Sequence, residues 1–180
     1  HVFRPAGWTT ADHRPALLCF YGGGFLHGTP LSSAATAAAA AQLGLVGIAA
    51  DYRTRERFGT NAAACAADGR AALHWVQVHA GELGIDPAKV VVNGSSSGGH
   101  VALWTAITPT PWGSDPAEAP LVKPAALILI SAASDTTAAT GQRGHLFAGH
   151  GDELSLPQHL DARMPPTLMF HGDADTVVPY

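Results

Sequence analysis

The chain carries little charge, and the charge it has is slightly acidic. Asp, Glu, Lys and Arg make up 13% of its 180 residues, and the formal net charge is −4. Nucleic-acid-binding proteins present a basic surface, so this balance argues against a nucleic-acid partner. No apolar run approaches the roughly 20 residues that a membrane-spanning helix needs. The sequence therefore directs attention to small-molecule chemistry or to protein binding.

Cysteine is nearly absent as well. The chain has two, Cys19 in a predicted strand and Cys65 in a predicted helix. We expect both to be small buried hydrophobic residues rather than a disulfide, and their spacing fits no metal site. In the weakly periodic segment 136–163, a metal site made of three histidines and one aspartate is possible in principle but disfavoured. Its residues are His145, His150, Asp152 and His159.

What the chain has in quantity is an alternation of continuous apolar runs and helical patterns. Five apolar runs predict strands, near residues 16–21, 45–50, 90–92, 125–130 and 167–171. The continuous runs at 45–50 and 125–130 predict buried strands, the first of them buried on both faces. Ser32 or Ser33 begins an alanine-rich helix to about residue 43, and Asn61 begins a longer one to about residue 80. Such alternation predicts an α/β fold with a parallel sheet of about five strands and helices on both faces.

The same reading predicts one domain over residues 1–180, with a small lid segment at 136–163. Residues 1–14, apart from Val2 and Phe3, are polar and predict irregular structure. The dense charge cluster within residues 51–58 predicts a solvated loop.

A turn of small residues joins the third predicted strand to a helix. Residues 94–98 read G-S-S-S-G and match the pattern G-x-S-x-G. A serine in such a turn is held in strained backbone geometry with its hydroxyl exposed, and the flanking positions must lack bulky side chains. A Gly/Ser-rich loop is the alternative interpretation, but the strand before and the helix after favour catalysis. We therefore predict that Ser96 is a nucleophile.

Two further segments follow the ends of predicted strands. The glycines at 22–24 follow the first strand, where backbone N–H groups can approach a ligand closely enough to form an oxyanion hole. An isolated glycine triplet would otherwise be read as a flexible turn. After the last strand, the run H-G-D-A-D-T-V-V supplies Asp173 and Asp175 late in the chain.

These segments, in this order, resemble the α/β-hydrolase fold. The closest resemblance is to its carboxylesterase branch, which includes hormone-sensitive-lipase-like esterases and acetyl esterases of carbohydrates. The resemblance covers nearly the whole chain, including D-Y-R at 51–53, E-L-G-I-D-P at 82–87 and P-P-T at 165–167. It implies a strand order of second, first, third, fourth, fifth.

The resemblance also implies residue roles. Ser96 matches the nucleophile and Asp175 the triad acid, with Asp173 as the rival acid. The N–H groups of Gly23, Gly24 and Ser97 match the oxyanion donors. No metal or organic cofactor is implied.

The chain departs from this family at two places. Tyr21 stands where the family usually has a histidine before its glycines. The triad runs Ser, Asp, His in chain order, yet no histidine follows Asp175. His171 matches a family position that is not catalytic. We therefore expect the chain to be the middle of a hydrolase, incomplete at both ends, and impaired on its own.

The function expected is hydrolysis of short-chain acyl esters or acetylated sugar esters through an acyl-enzyme intermediate. One alternative is a serine peptidase of the prolyl-oligopeptidase type, which the glycine triplet disfavours. The other is a catalytically inactive binding module. An uncovered sheet face or edge would further predict self-association.

Overall fold

The computed structural model describes residues 1–108, 110, 120, 122–137, 146–147 and 151–178. Within these residues one sheet is formed by six strands, in the order β1-β3-β2-β4-β5-β6. The strands are β1 Val2–Phe3, β2 Arg14–Phe20, β3 Val46–Ala49, β4 Ile85–Ser95, β5 Ala126–Ile130 and β6 Thr167–Phe170. Strands β2 to β6 pair in parallel. Both the parallel sheet and the expected order of the five predicted strands are confirmed.

Strand β1 was not foreseen and makes the sheet mixed. Val2 and Phe3 are the two apolar exceptions in the polar segment 1–14, and they pair antiparallel with β3. Two residues are too few to show an alternating pattern, so this strand exists only through its partner. Strand β4 also begins at Ile85, five residues before the predicted run.

Helices cover both faces of the sheet, as predicted. They are α1 Ala34–Gln42, α2 Arg55–Phe58, α3 Ala62–Val78, α4 Ala80–Leu83 and α5 Ser97–Trp104. Alternate residues of β2 point to opposite sides, because Leu18 and Phe20 join the core under α3 and α5 whereas Leu17 and Cys19 join the core under α1. No helix among the described residues has the length and apolarity to cross a membrane.

The helix starts follow the sequence only in part. The Asn61 side chain accepts a hydrogen bond from the Ala64 N–H at 3.0 Å and caps α3 as predicted. Ser33 lies at the start of α1, but its hydroxyl donates to the Pro30 carbonyl at 3.1 Å instead of capping the helix. Cys19 and Cys65 are both buried and free, as expected.

The structure describes part of the predicted lid, namely residues 136–137, 146–147 and 151–163. Four of its apolar side chains pack into the core on the α5 side of the sheet, whereas Leu160 is exposed. The four are Leu146, Phe147, Leu154 and Leu156. His145 and His150 lie outside the described residues, and a lid role stays a prediction.

Helix α1 leaves the β5–β6 half of its side of the sheet uncovered. Ile128 lies opposite Leu168, and Ile130 lies opposite Phe170, so the four side chains share this side. Leu168 and Phe170 are 52% and 55% exposed, and Ile130 is 42% exposed. We call Ile128, Ile130, Leu168 and Phe170 the bare patch. It lies beside the unpaired edge of β6.

Candidate active site

Ser96 lies at the turn from β4 to α5 in a strained conformation. Its φ of 51° and ψ of −121° are rare for a residue with a side chain, so its surroundings must hold it there. Its N–H donates to the Ile130 carbonyl at 2.9 Å. Its own carbonyl accepts from the N–H groups of Gly99, His100 and Ala133 at 3.0, 3.2 and 3.1 Å. The turn therefore has the strain that the G-x-S-x-G pattern predicts.

Glycines allow this turn to pack directly on backbone. A Cβ added to Gly94 would lie 2.1 Å from the Gly98 carbonyl oxygen. A Cβ added to Gly98 would lie 2.3 Å from the Tyr21 carbonyl oxygen and 2.5 Å from that of Phe20. Neither position has space for a side chain, and the start of α5 therefore touches the end of β2.

The glycine loop at 22–24 lies against the serine. A Cβ added to Gly22 would be 3.2 Å from the Ser96 Cβ. The Gly23 carbonyl accepts from Leu26 and His27, which turns the loop. Within the described residues, the N–H groups of Gly23, Gly24 and Ser97 donate to no other protein group. These N–H groups are the oxyanion donors predicted from the sequence.

The charged side chains of the segment predicted to be a solvated loop are exposed, but Arg55–Phe58 forms α2 and the segment is attached to this glycine loop. Tyr52 is buried, and its ring stacks on that of Tyr21 with centroids 4.3 Å apart. The first N–H groups of α2, from Arg55 and Glu56, donate to the Phe25 and Leu26 carbonyls at 2.9 and 3.0 Å. The sequence contains a signal for the contact between Tyr21 and Tyr52. Tyr21 and Tyr52 each follow the carboxyl end of a strand, and the two strands are parallel neighbours.

The two candidate acids differ in environment. Asp175 is half-buried, and one of its carboxylate oxygens accepts from the Val177 and Val178 N–H groups at 2.8 and 3.0 Å. The N–H groups of Val178 and Val177, with a smaller contribution from the Ser131 hydroxyl, hold the pKa of Asp175 below its usual range. Asp173 is exposed.

The environment of Asp175 also connects it to the turn. Ser131 directly follows Ile130, whose carbonyl binds the Ser96 N–H. Asp175 is therefore placed at the same end of the sheet as the turn.

Two histidines close to these elements, His100 and His171, are engaged elsewhere. His100 is fully buried, its Nδ1–H donates to the Ala133 carbonyl at 2.9 Å, and its Nε2 accepts from the Trp104 indole at 3.0 Å. Burial lowers its pKa to about 4. The His171 Nε2 donates to the Val178 carbonyl at 2.7 Å and is 3.7 Å from Asp175, too far for a hydrogen bond. His100 thus has no free nitrogen with which to accept a proton.

Metal binding finds no support in the part of the chain that the structure describes. No three or more His, Cys, Asp or Glu residues are grouped there so that they could hold a metal ion. The Nε2 of His159 instead contacts the Glu153 carbonyl at 2.7 Å.

Comparisons with known proteins agree with this architecture. An AB hydrolase superfamily protein of Schizosaccharomyces pombe is 36% identical over 104 residues, which are 56% of this chain and 29% of that protein. The butyrate-bound structure of the thermophilic esterase Est2 from Thermogutta terrifontis has a TM-score of 0.88 and 33% identity. Its apo form gives 0.87 and 34%. Both comparisons cover 99% of this chain and 68% of that esterase.

The chain therefore spans about two thirds of the Thermogutta esterase and less than a third of the yeast protein. The family model described as BD-FAE matches residues 2–115, which is more than half of the chain. The chain belongs to the BD-FAE family, and its fold and relatives place it among the α/β-hydrolase carboxylesterases.

Proposed function

We propose that the chain provides the nucleophile, the oxyanion donors and the acid of a serine carboxylesterase. The observation that carries this proposal is the strained turn at Ser96, which faces a glycine loop with unused N–H groups. Such a turn costs stability and is retained where it serves chemistry. The likeness to an esterase at 33% identity over 99% of the chain supports the same function.

In the proposed reaction, Ser96 Oγ attacks the ester carbonyl carbon and forms a tetrahedral intermediate. The N–H groups of Gly23, Gly24 and Ser97 stabilise its oxyanion. The intermediate collapses with loss of the alcohol and leaves an acyl group on Ser96, which water then hydrolyses. A histidine takes the serine proton and passes it to the leaving alcohol, and Asp175 orients that histidine.

The histidine is the group that the chain does not visibly supply. His100 is excluded because both its nitrogens are occupied, and no histidine follows Asp175. A serine hydrolase without its base keeps a rate of about 10³–10⁴ over water from its oxyanion hole and binding. We therefore expect the 180-residue chain alone to hydrolyse esters slowly.

Short acyl groups are the proposed substrates. The Thermogutta esterase is described with butyrate and with propionate bound, and phosphonylated by sarin. The first two ligands favour acids of a few carbons over long-chain lipids. Acetylated sugar esters fall in the same size class.

Two measurements test the proposal. The purified chain and Ser96→Ala are compared on p-nitrophenyl acetate, p-nitrophenyl butyrate and a dipeptide anilide. Both proteins are also treated with a fluorophosphonate, in which the Ser96 Oγ–P bond forms, the P–F bond breaks, and fluoride and the serine proton go to solvent. Intact mass and peptide mapping locate the label.

Slow ester hydrolysis and slow Ser96 labelling, both lost in Ser96→Ala, are expected. Preferential cleavage of the anilide would indicate the peptidase alternative. Absence of both ester hydrolysis and labelling would indicate a binding module. Full esterase turnover that depends on Ser96 would show that a histidine within these residues serves as base.

A further inference from the structure

We propose that Asp51 and Tyr52 are positioning residues that hold the glycine loop in register with the nucleophile turn. The inference rests on the proposed function for its effect on rate, because the loop and the turn supply the proposed oxyanion donors. The segment follows β3 and reaches the site through side chains, whereas the donors themselves are backbone groups.

The Tyr52 hydroxyl joins the two halves of the proposed oxyanion hole. It is buried and donates its single proton to the Tyr21 carbonyl at 2.8 Å, because a carbonyl can only accept. The Ser97 hydroxyl, 3.3 Å from the same phenol oxygen, must then be the donor of that contact. One phenol therefore connects the residue that precedes the glycines with the residue that follows Ser96.

Tyr21 is fixed from the other end. Its hydroxyl donates to an Asp51 carboxylate oxygen at 2.7 Å, and the Tyr52 carbonyl lies 3.2 Å from the same hydroxyl. The loop closes over the Tyr21 ring at Gly28, where an added Cβ would lie 2.6 Å from two ring carbons. The ring is thus held by stacking on one side and by backbone on the other.

Arg57 holds the carboxylate in place. Its guanidinium donates to the two oxygens of Asp51 at 3.0 and 2.8 Å, the two-pronged geometry that fixes orientation as well as charge. Partial burial raises the pKa of Asp51, but hydrogen bonds from Arg57 and Tyr21 outweigh it and keep that pKa below the ordinary value. The carboxylate therefore stays ionised and accepts a hydrogen bond from the Tyr21 hydroxyl at neutral pH.

Such anchoring matters because oxyanion stabilisation depends on donor position. Donors must lie about 2.7–3.1 Å from the developing oxyanion, and removal of one donor costs about 10²–10³ in rate. Loss of an anchor displaces donors without removing them. We expect a loss of about tenfold in the maximal rate of reaction at Ser96, a fraction of the cost of a deleted donor.

The test compares Tyr52→Phe and Asp51→Ala with Asp68→Ala. Asp68 is a matched control because it pairs with Arg53 at 2.7 Å in the same region, and no hydrogen bond or ion pair of the described residues links it to Tyr21 or Tyr52. Hydrogen–deuterium exchange by mass spectrometry follows the peptide covering residues 21–28. Fluorophosphonate labelling of Ser96 gives kinact and KI separately, and thermal melts confirm that each variant is folded.

Faster exchange at 21–28 and a kinact about tenfold lower in both variants, with KI nearly unchanged, are expected, while Asp68→Ala stays near wild type. Exchange and kinact equal to those of Asp68→Ala would overturn the proposal. If wild type is not labelled at Ser96, the proposed function fails, and the exchange comparison alone decides whether Asp51 and Tyr52 position the loop. If Asp51→Ala does not fold, Tyr21→Phe removes the same hydrogen bond and takes its place.

Discussion

Single residues at this site are distinguished by the hydrogen bonds that they have available. Asp175 accepts two backbone N–H groups with one oxygen, and the Ser131 hydroxyl also hydrogen-bonds its carboxylate. Its second oxygen is 3.7 Å from the His171 Nε2, which is already donating elsewhere. Asp173 is an exposed turn residue. Asp175 therefore stays our proposed acid, with Asp173 as the rival.

We expect Asp175→Asn to reduce kcat by orders of magnitude in a protein that includes this chain and a functional base, and Asp173→Asn to do little. An asparagine cannot stabilise the imidazolium that forms and favours the wrong tautomer, for which the worked protease case gives a loss of about 10⁴. Both variants are assayed with the same acetate ester. The reverse ranking would identify Asp173 as the acid.

His100 should make the chain acid-sensitive. Burial lowers its pKa in the folded state from 6.5 to about 4, so the unfolded chain binds the proton first as pH falls. Its stabilising effect is complete above pH 6.5 and is lost as pH falls toward about 4. The full loss is on the order of 3 kcal/mol.

Thermal melts of wild type and His100→Gln between pH 7 and pH 4 check this expectation. Glutamine offers a donor and an acceptor without titrating in this range, so its melting temperature should change less. Parallel curves for the two proteins would mean that His100 is not the responsible group.

At the scale of elements, the site depends on how closely α5 approaches the end of β2. The carbonyl oxygens of Phe20 and Tyr21 lie against Gly98, and a side chain at Gly98 would collide with them. Backbone atoms cannot rotate away as a side chain would. The position of Ser96 is therefore coupled to the packing of α5 on the sheet.

We expect Gly98→Ala to destabilise the chain by about 1–3 kcal/mol, as overpacking of an interior contact does. Ser96 labelling should fall as well, because α5 must shift to admit the methyl group. Gly81→Ala is the matched control, since no atom lies within 4 Å of a Cβ added there. Denaturant unfolding measures both variants, and equal stabilities would contradict the proposed contact.

At the scale of the whole molecule, the described residues leave apolar surface in contact with water. The bare patch lies on the α1 side of the sheet, and Met169, 54% exposed, adds apolar surface on the other side of β6. Strand edges with unpaired N–H and C=O groups pair readily with other chains. Together, the patch and the edge favour association.

We expect the purified 180-residue chain to self-associate. Leu168→Lys should shift it toward monomer, because a charge on the bare patch opposes burial. Leu31→Lys is the control, since Leu31 is 69% exposed but lies away from β6. Sedimentation velocity with a dye that reports apolar surface measures the effect, and a dilute monomer without dye binding would contradict it.

The sequence by itself determined the features that depend on local pattern. Continuous apolar runs identified five of the six described strands, although β6, at the edge of the described sheet, is exposed. The turn at Ser96 was recognisable because glycines two residues away on either side are required by the backbone itself. The order of the predicted strands followed from resemblance to a family rather than from any pattern in the runs.

Only the tertiary structure decided what residues distant in sequence do to one another. The pairing of β1 with β3 joins residues more than 40 positions apart, and no two-residue pattern encodes it. Tyr52 and Asp51 looked like part of a charged loop until the parallel pairing of β2 and β3 placed them beside Tyr21. The physical reason is that a local pattern specifies backbone geometry, whereas contacts between side chains exist only once strand order and register are set.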